Sequence, residues 1–251
     1  VYTNMKHATE YGLQAKDISF DLRAVVKRSR GVSAQLAAGV KHLMAKNKIK
    51  IVEGTGKLLG KGKMQVTKKD KKVETLSAAH IVVATGARPR VLPGLEPDGK
   101  LIWTSREAMV PDALPKSMLV VGSGAIGIEF ASFYNALGVD VTVVEVVDRI
   151  MPVEDPEISA FAQKALEKKG LKFITGGIVK KLDKKAKSVT ATIEKGKKSK
   201  TITVDRVIMA VGIVPNVEEI GLENTKIKLD RGHIKTNEWS ETDEKGVYAI
   251  G

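Results

Sequence analysis

The chain has 251 residues, of which 43% are hydrophobic, and it carries a formal net charge of +13. This length suits one large or two ordinary domains, and the apolar content excludes a disordered composition. The absence of cysteine excludes disulfides, thiolate metal ligands and thiol nucleophiles from these residues and fits a cytoplasmic protein.

The positive charge is distributed along the chain rather than concentrated in one stripe. A charge of this size attracts nucleic acid or an anionic membrane when it is clustered. The lysine-rich runs are short and separate, at 61–72, 164–169, 180–187 and 195–200. Aromatic residues make up only 4% of the chain and do not accompany these runs. We therefore predict solvated lysines and neither a nucleic-acid nor a membrane partner.

The first part of the chain predicts one long helix followed by strands. Apolar residues recur at helical spacing through residues 21–46, and Asp21 is placed to cap the amino end of that helix. Gly54 and Gly56 indicate a bend or a close approach of two backbones. The strand pattern recurs at 49–53, 64–67, 72–76 and 79–84. The last of these is continuously apolar, which predicts a buried, parallel strand.

Prolines punctuate the next stretch, at positions 89, 93, 97, 111 and 115. Proline lacks a backbone donor and restricts its neighbours, so strand and helix are both hard to sustain there. We therefore predict a linker that ends in a domain boundary near Pro115. The domains predicted from this boundary are residues 1–115 and 116–242, and residues 243–251 begin a return into the first domain.

The most informative segment runs from Val120 to Glu129 and reads VVGSGAIGIE. An apolar strand pattern at 118–121 precedes the glycines, and a helical pattern at 125–137 follows them. A second apolar strand, 139–144, then ends on Glu145. Strand, glycine turn, helix, strand and acid form the dinucleotide-binding fingerprint in its required context. A glycine-rich turn without a nucleotide is the weaker interpretation, because it leaves this combination unexplained.

Each glycine of this turn has its own physical role. Gly122 permits a tight turn, Gly124 lets a pyrophosphate approach the backbone, and Gly127 lets the helix pack closely on the sheet. The free amides at the helix start favour phosphate charge. Glu145 is predicted to accept hydrogen bonds from the adenosine ribose and to repel a 2′-phosphate. Because residues 146 and 147 are valines, no adjacent cation offsets that repulsion, and NAD is predicted over NADP.

The remaining elements extend this α/β pattern. A helix is predicted at 156–169, with Asp155 as its cap and Gly170 as its stop, and a strand at 171–175 completes a second β-α-β step. An antiparallel meander is predicted from strands at 178–182, 188–194 and 200–204. Apolar strands at 206–211 and 246–251 follow. No histidine has metal-ligand spacing, so no metal site is predicted.

Four motifs stand in a characteristic order: IVVATGARP at 81–89, GSGAIGIE at 122–129, AVGIVPN at 210–216 and VYAIG at 247–251. Together they resemble the two-dinucleotide-domain flavoprotein disulfide reductases, and among these the dihydrolipoamide dehydrogenases. The resemblance covers essentially the whole chain. It implies a Rossmann-like NAD-binding domain, with a parallel sheet plus an antiparallel meander, and an incomplete FAD-binding domain.

The resemblance also implies roles for individual residues at the NAD site. Val146 and Val179 would flank the adenine, and Gly212 would let its backbone approach the nicotinamide half. Ile213 stands where most members of the family have arginine, which leaves the polar contacts there open. The residues implied to bind NAD are Gly122, Gly124, Ile126, Gly127, Glu145, Val146, Val179 and Gly212.

Other residues match positions beside the flavin in the family. Gly56, Thr85 and Gly86 correspond to residues that line FAD. Glu129 corresponds to an acid that pairs with a lysine next to the flavin. The alternative interpretation of Glu129 is an acid in the first helical turn that interacts favourably with the helix dipole.

The family resemblance implies an enzyme that moves electrons from dihydrolipoamide through a disulfide and FAD to NAD. The redox cysteine pair and the His–Glu acid–base pair of the family have no counterpart here, so no catalytic residue is predicted. The sequence is expected to be an internal part of a longer homodimeric protein that works with lipoyl domains of 2-oxo acid dehydrogenase complexes. By itself it is expected to bind NAD(H), to retain no FAD and to be inactive. A coenzyme A-disulfide reductase, a thioredoxin-type reductase and a stand-alone NAD-binding module stay open as alternatives.

Overall fold

The computed structural model describes residues 1–250, in which five α-helices and 17 β-strands are found. The helices are α1 (Tyr2–Lys6), α2 (Leu22–Lys46), α3 (Ser105–Ala108), α4 (Ala125–Ala136) and α5 (Pro156–Lys168), with short 3₁₀ helices at Ala8–Tyr11 and Leu222–Asn224. The strands are β1 (Thr55–Gly60), β2 (Lys63–Thr67), β3 (Val73–Ser77), β4 (Ile81–Val83), β5 (Ala87–Pro89), β6 (Ile102–Trp103), β7 (Ser117–Val121), β8 (Asp140–Glu145), β9 (Lys172–Thr175), β10 (Ile178–Lys184), β11 (Val189–Lys195), β12 (Lys198–Val204), β13 (Arg206–Met209), β14 (Ile213–Pro215), β15 (Leu229–Asp230), β16 (His233–Ile234) and β17 (Val247–Ala249).

The chain divides into two compact units. The first consists of Val1–Ala34 and Pro89–Gly212, and the second consists of Gln35–Arg88 and the described residues from Ile213 onward. The boundary is therefore not near Pro115. Strand β6 explains the difference, because it lies within the proline-rich stretch and pairs in parallel with β13 of the first unit. The assignment of the units to NAD and FAD stays a prediction.

The first unit contains a five-stranded parallel sheet in the order β6-β13-β7-β8-β9. Strand β7 lies at its centre, and its side chains alternate between two apolar layers. Met118 and Val120 pack in one layer, and Leu119 and Val121 pack in the other. Burial on both faces is the reason that these strands are continuously apolar in sequence. The predicted α/β class is confirmed.

Helix α4 connects β7 to β8 and packs on one face of the sheet through Gly127, Ala131 and Tyr134. The fully buried Tyr134 hydroxyl donates a hydrogen bond to the carbonyl of Ala108 at 2.8 Å, and burial raises the pKa of Tyr134. Helix α5 begins as predicted, since the Asp155 carboxylate accepts a hydrogen bond from the Glu157 amide at 2.8 Å.

The opposite face of the sheet is covered by the predicted meander, in which β10, β11 and β12 pair antiparallel. Inward-facing residues of β11, Val189, Ala191 and Ile193, are almost completely inaccessible and pack in the layer that contains Leu119 and Val144. The turn between β11 and β12 is tighter than predicted, because β11 extends to Lys195 and β12 begins at Lys198.

The second unit consists of short sheets around a small apolar cluster. Strands β1, β2 and β3 form an antiparallel sheet, while β4 pairs in parallel with β17 and β5 pairs with β14. The parallel pairing predicted for residues 79–84 is confirmed. Their burial on both faces is not, because Val82 faces outward and is exposed. The cluster consists of Leu58, Ile81, Val83, Ile227 and Val247.

One prediction about the first hundred residues needs correction. The strand expected at 49–53 is absent, and β1 begins only at Thr55. Gly54 does mark a close approach, because a Cβ on it would come within 2.6 Å of the Thr67 carbonyl oxygen. Helix α2 is confirmed, and the Asp21 carboxylate accepts from the Arg23 amide at 2.8 Å. However, none of the 25 residues of α2 is buried.

Candidate functional site

The candidate site lies at the carboxyl ends of the central strands of the first unit. Strand β7 ends at Val121, next to the ends of β8 at Glu145 and β13 at Met209. From β7 the chain crosses through α4 to β8 on one side, whereas β13 lies on the other side. A reversal of strand order at this point opens a crevice, and ligands of open α/β sheets bind in such crevices.

The first and third glycines of the turn are required by the packing of the protein itself. Gly122 has a φ of +100°, and its amide donates to the Val144 carbonyl at 2.8 Å. A Cβ on Gly122 would overlap the Ala210 carbonyl oxygen, and one on Gly127 would overlap the Gly122 carbonyl oxygen. The tight turn and the close helix packing that the sequence predicts are therefore both confirmed.

The second glycine has a different environment. Gly124 is the N-cap of α4, and no protein atom outside its immediate neighbours lies within 4 Å of the position that a Cβ would occupy. No side chain caps the helix, and Ile126 in its first turn is partly exposed. The first amides of α4 therefore lie next to open space and donate to no side chain. A diphosphate fits here, because helix amides and the helix dipole both favour an anion.

The Glu145 carboxylate lies against the glycine turn and does not extend into solvent. Glu145 is only 7% exposed. Its Oε2 accepts hydrogen bonds from the Ser123 amide at 2.8 Å and from the Ser123 hydroxyl at 2.6 Å. Its Oε1 accepts one from the Val147 amide at 3.1 Å. A carboxylate has about four acceptor positions, so one position remains for a ribose hydroxyl.

The two valines expected to flank the adenine differ in exposure. Val146 follows Glu145 and is 60% exposed, so its side chain is available at the surface. Val179 is 6% exposed and packs in the core layer beneath the meander. The loop before Val179 is tied to the site, because the Gly177 amide donates to the Glu145 carbonyl at 2.9 Å. The Val146 side chain is thus accessible to solvent and the Val179 side chain is not, and the adenine contact of both stays a prediction.

The end of β13 brings a cation to the crevice that sequence reasoning missed. Gly212 has a φ of +104°, and its carbonyl accepts a hydrogen bond from the Arg90 amide at 2.9 Å. The Arg90 Nε lies 3.9 Å from the position that a Cβ on Gly212 would occupy. A guanidinium therefore stands beside the predicted nicotinamide half. The sequence feature that could have identified this cation is the Arg-Pro-Arg run at 88–90, in which Arg90 is the second arginine.

Glu129 lies outside the first turn of α4. The helix begins at Ala125 and has no acidic residue in its first turn, so the interpretation of Glu129 as a first-turn acid is wrong. Its side chain is exposed on the second turn. The role beside a flavin that the family resemblance implies stays a prediction.

The second unit contains a cleft with two of the three residues expected to line FAD. Its volume is about 340 Å³, and Thr85 and Gly86 lie in its wall with Val83 and Pro215. The Thr85 hydroxyl donates to the Asn216 carbonyl at 2.6 Å. Gly56 lies elsewhere, inside β1 and opposite Val66. The volume lies at the small end of the range for ligand pockets, about 300–1,000 Å³, and contact of this cleft with FAD stays a prediction.

Within residues 1–250 no group of three or more His, Asp or Glu side chains is arranged to hold a metal ion. No helix there is long and apolar enough to cross a membrane.

The chain is similar to known proteins both in sequence and in structure. A sequence model described as pyridine nucleotide-disulphide oxidoreductase matches residues 2–251. The chain is 52% identical to the dihydrolipoyl dehydrogenase of Rhizobium etli and 44% identical to that of Zymomonas mobilis, over its whole length in both cases. It covers 56% and 54% of those two proteins, so it spans about half the length of the curated relatives it matches. Among solved structures it resembles LpdA from Mycobacterium tuberculosis, with a TM-score of 0.91 and 29% identity over all of this chain and 55% of the other.

Proposed function

The chain belongs to the pyridine nucleotide-disulphide oxidoreductase family, and we propose that it is the NAD-binding part of a dihydrolipoyl dehydrogenase. The observation that carries the proposal is the crevice of the first unit. It combines an uncapped helix terminus at Gly124 with the anchored carboxylate of Glu145. The names and the identity levels of the relatives support the substrate class.

In this proposal the residues of the chain bind and orient NAD. The α4 amides hold the diphosphate, and the free acceptor position on Glu145 Oε1 receives a ribose hydroxyl. Val146 covers the adenine, while Arg90 and the Gly212 backbone border the nicotinamide half. When NAD is bound, its nicotinamide ring supplies the hydride-accepting chemistry.

The full reaction requires groups beyond those in these 251 residues. Oxidation of a dihydrolipoyl group involves thiol chemistry, and the sequence contains no cysteine. The part-cleft beside Thr85 and Gly86 is consistent with contact to one portion of FAD. From the family resemblance we propose lipoyl domains of 2-oxo acid dehydrogenase complexes as the partner and a homodimer as the assembly. The cytoplasm is kept as the proposed compartment.

Calorimetric titration with NADH and NADPH tests the proposal. The chain should bind NADH more tightly than NADPH, and Glu145→Gln should weaken NADH binding by about 1–3 kcal/mol because the ribose loses a charged acceptor. Asp140→Asn is the matched control, since Asp140 is an acid at the opposite end of the same strand and pairs with Lys172.

The control variant should bind NADH like the unmodified chain. The proposal fails if the unmodified chain binds neither coenzyme. Equal affinity for NADH and NADPH would remove the specificity that we assign to Glu145.

A further inference from the structure

Ser123 lies between the first two glycines of the turn, and its amide and its side chain both form hydrogen bonds within the protein. It is fully buried. Its amide and its hydroxyl both donate to the same oxygen of Glu145, at 2.8 Å and 2.6 Å. Hydrogen bonds to an ionised carboxylate are the stronger class, and the hydroxyl contact is at the short end of their range. A glycine or alanine at this position would retain only the amide contact.

These contacts fix the orientation of the carboxylate. Ser123 follows β7, and Glu145 ends the neighbouring β8, so one side chain bridges two adjacent strands. Oε2 is occupied by the two donors of Ser123, while Oε1 is held by the Val147 amide at 3.1 Å. Because both oxygens have fixed donors, rotation of the carboxylate breaks at least one hydrogen bond. The single spare acceptor position therefore stays on Oε1.

A further contact fixes the direction of the Ser123 hydroxyl proton. The Met151 amide lies 3.1 Å from the Ser123 carbonyl oxygen and 3.3 Å from its Oγ. Since Oγ faces this donor on one side, its single proton is directed to Glu145 on the other. The Met151 carbonyl in turn accepts from the hydroxyl of the buried Ser159 at 3.2 Å. The loop that follows β8 is thus tied to the glycine turn.

We infer that Ser123 is a positioning residue of the coenzyme site, and that its hydroxyl sets the discrimination between NADH and NADPH by immobilising the Glu145 carboxylate. This inference rests on the proposed function. A fixed carboxylate offers Oε1 to a ribose hydroxyl. Because the carboxylate cannot turn away, it also repels the 2′-phosphate of NADPH at close range. Without the hydroxyl the carboxylate gains freedom, and both effects weaken.

The test is a double-mutant cycle on the 251-residue chain. NADH and NADPH are titrated calorimetrically into the unmodified chain, Ser123→Ala, Glu145→Gln and the double variant. Ser123→Ala should weaken NADH binding about tenfold, as expected for one hydrogen bond to a charged group, with a much smaller change for NADPH. In the Glu145→Gln background the same substitution should have little further effect, because the carboxylate through which Ser123 acts is gone.

Two additional variants separate positioning from general destabilisation. Ser117→Ala is the matched control, because the Ser117 hydroxyl accepts from the Asp205 amide at 3.1 Å at the opposite end of β7. It should leave the ratio of NADH to NADPH affinity unchanged. Ser123→Cys retains a weak donor of similar size and should give an intermediate ratio. Thermal unfolding of each variant identifies the temperature range in which it is folded, and all titrations are made there.

The outcomes distinguish this inference from the proposed function. Equal losses for NADH and NADPH in Ser123→Ala, or an undiminished effect of that substitution beside Glu145→Gln, would overturn the positioning role and leave the proposed function standing. If the unmodified chain binds neither coenzyme, both are overturned.

Discussion

The two compact units bury their apolar residues to different extents. In the first, residues on both faces of a five-stranded parallel sheet are inaccessible, including Met118, Leu119 and Val120. In the second, sheets of two or three strands surround a cluster of five residues, each with some exposed surface. A site that depends on backbone atoms placed to within an ångström requires a rigid support. The first unit provides such support for the glycine turn, and the second provides only part of a cleft.

The largest expected effect on stability comes from replacing one buried leucine by alanine in each unit. Leu119→Ala should lower the free energy of unfolding by about 3–5 kcal/mol, and Leu58→Ala by about 2–3 kcal/mol. Leu119 lies on a central strand with neighbours on both sides, so the cavity cannot close, whereas Leu58 belongs to the small cluster. Denaturant titration measures both values. The fluorescence of the buried Trp103 reports on the first unit, and that of the exposed Trp239 reports on the second.

Replacing each tryptophan in turn by phenylalanine separates the two fluorescence signals. Equal losses from the two truncations would mean that the second unit packs as tightly as the first. The contrast between the units would then be wrong.

An intermediate effect is expected from an acid of the first unit whose carboxylate is held by backbone amides. The Asp98 Oδ1 accepts from the amides of Lys100, Leu101 and Ile102 at 2.8–2.9 Å, and the Lys184 ammonium lies 3.2 Å from Oδ2. Burial alone raises the pKa of Asp98. The amides and the ammonium outweigh burial and lower that pKa from 3.8 to about 2.

Because the folded pKa of Asp98 lies below the unfolded one, its stabilisation is present above about pH 4 and is lost as the pH falls towards about 2. Asp98→Asn should therefore cost on the order of 1–2 kcal/mol near neutral pH and flatten the acid dependence in that window. Denaturant titrations followed by Trp103 fluorescence at neutral and acid pH measure both effects. If the free energy of unfolding of Asp98→Asn falls between about pH 4 and about pH 2 as steeply as that of the unmodified chain, the stabilising role given to Asp98 is wrong.

The smallest effect is expected from an ion pair on the surface of the second unit. The Arg88 guanidinium contacts both carboxylate oxygens of Glu218, at 2.7 Å and 2.9 Å, and lowers the pKa of Glu218 to about 2. Both side chains are largely exposed, so water and salt screen the attraction. Glu218→Gln should lower the melting temperature less than Asp98→Asn does. Added salt should remove the difference in melting temperature between Glu218→Gln and the unmodified chain. A larger loss than that of Asp98→Asn would show that the second unit depends on this pair.

Much of the first unit could be predicted because its signals are local. Strands β7 and β8, helices α4 and α5 and the meander all follow from apolar periodicity, caps and turn residues that lie within a few positions of one another. The roles of Gly122 and Gly127 could be predicted for the same reason. The strand at 49–53 was wrong because an apolar run of that length does not by itself specify a pairing partner. A boundary near Pro115 was wrong because the two residues of β6 carry too weak a signal.

The sequence by itself determined the α/β class, the glycine turn and the acid that ends β8, since backbone geometry and side-chain periodicity are properties of neighbouring residues. Only the tertiary structure decided where the Glu145 carboxylate points, because its partner Ser123 lies 22 positions away. It likewise buried Val179 and brought Arg90 beside Gly212. Helix α2 makes the same distinction clear. Its periodicity specifies a helix, but burial of its apolar face requires a packing partner, and spacing along the chain does not encode one.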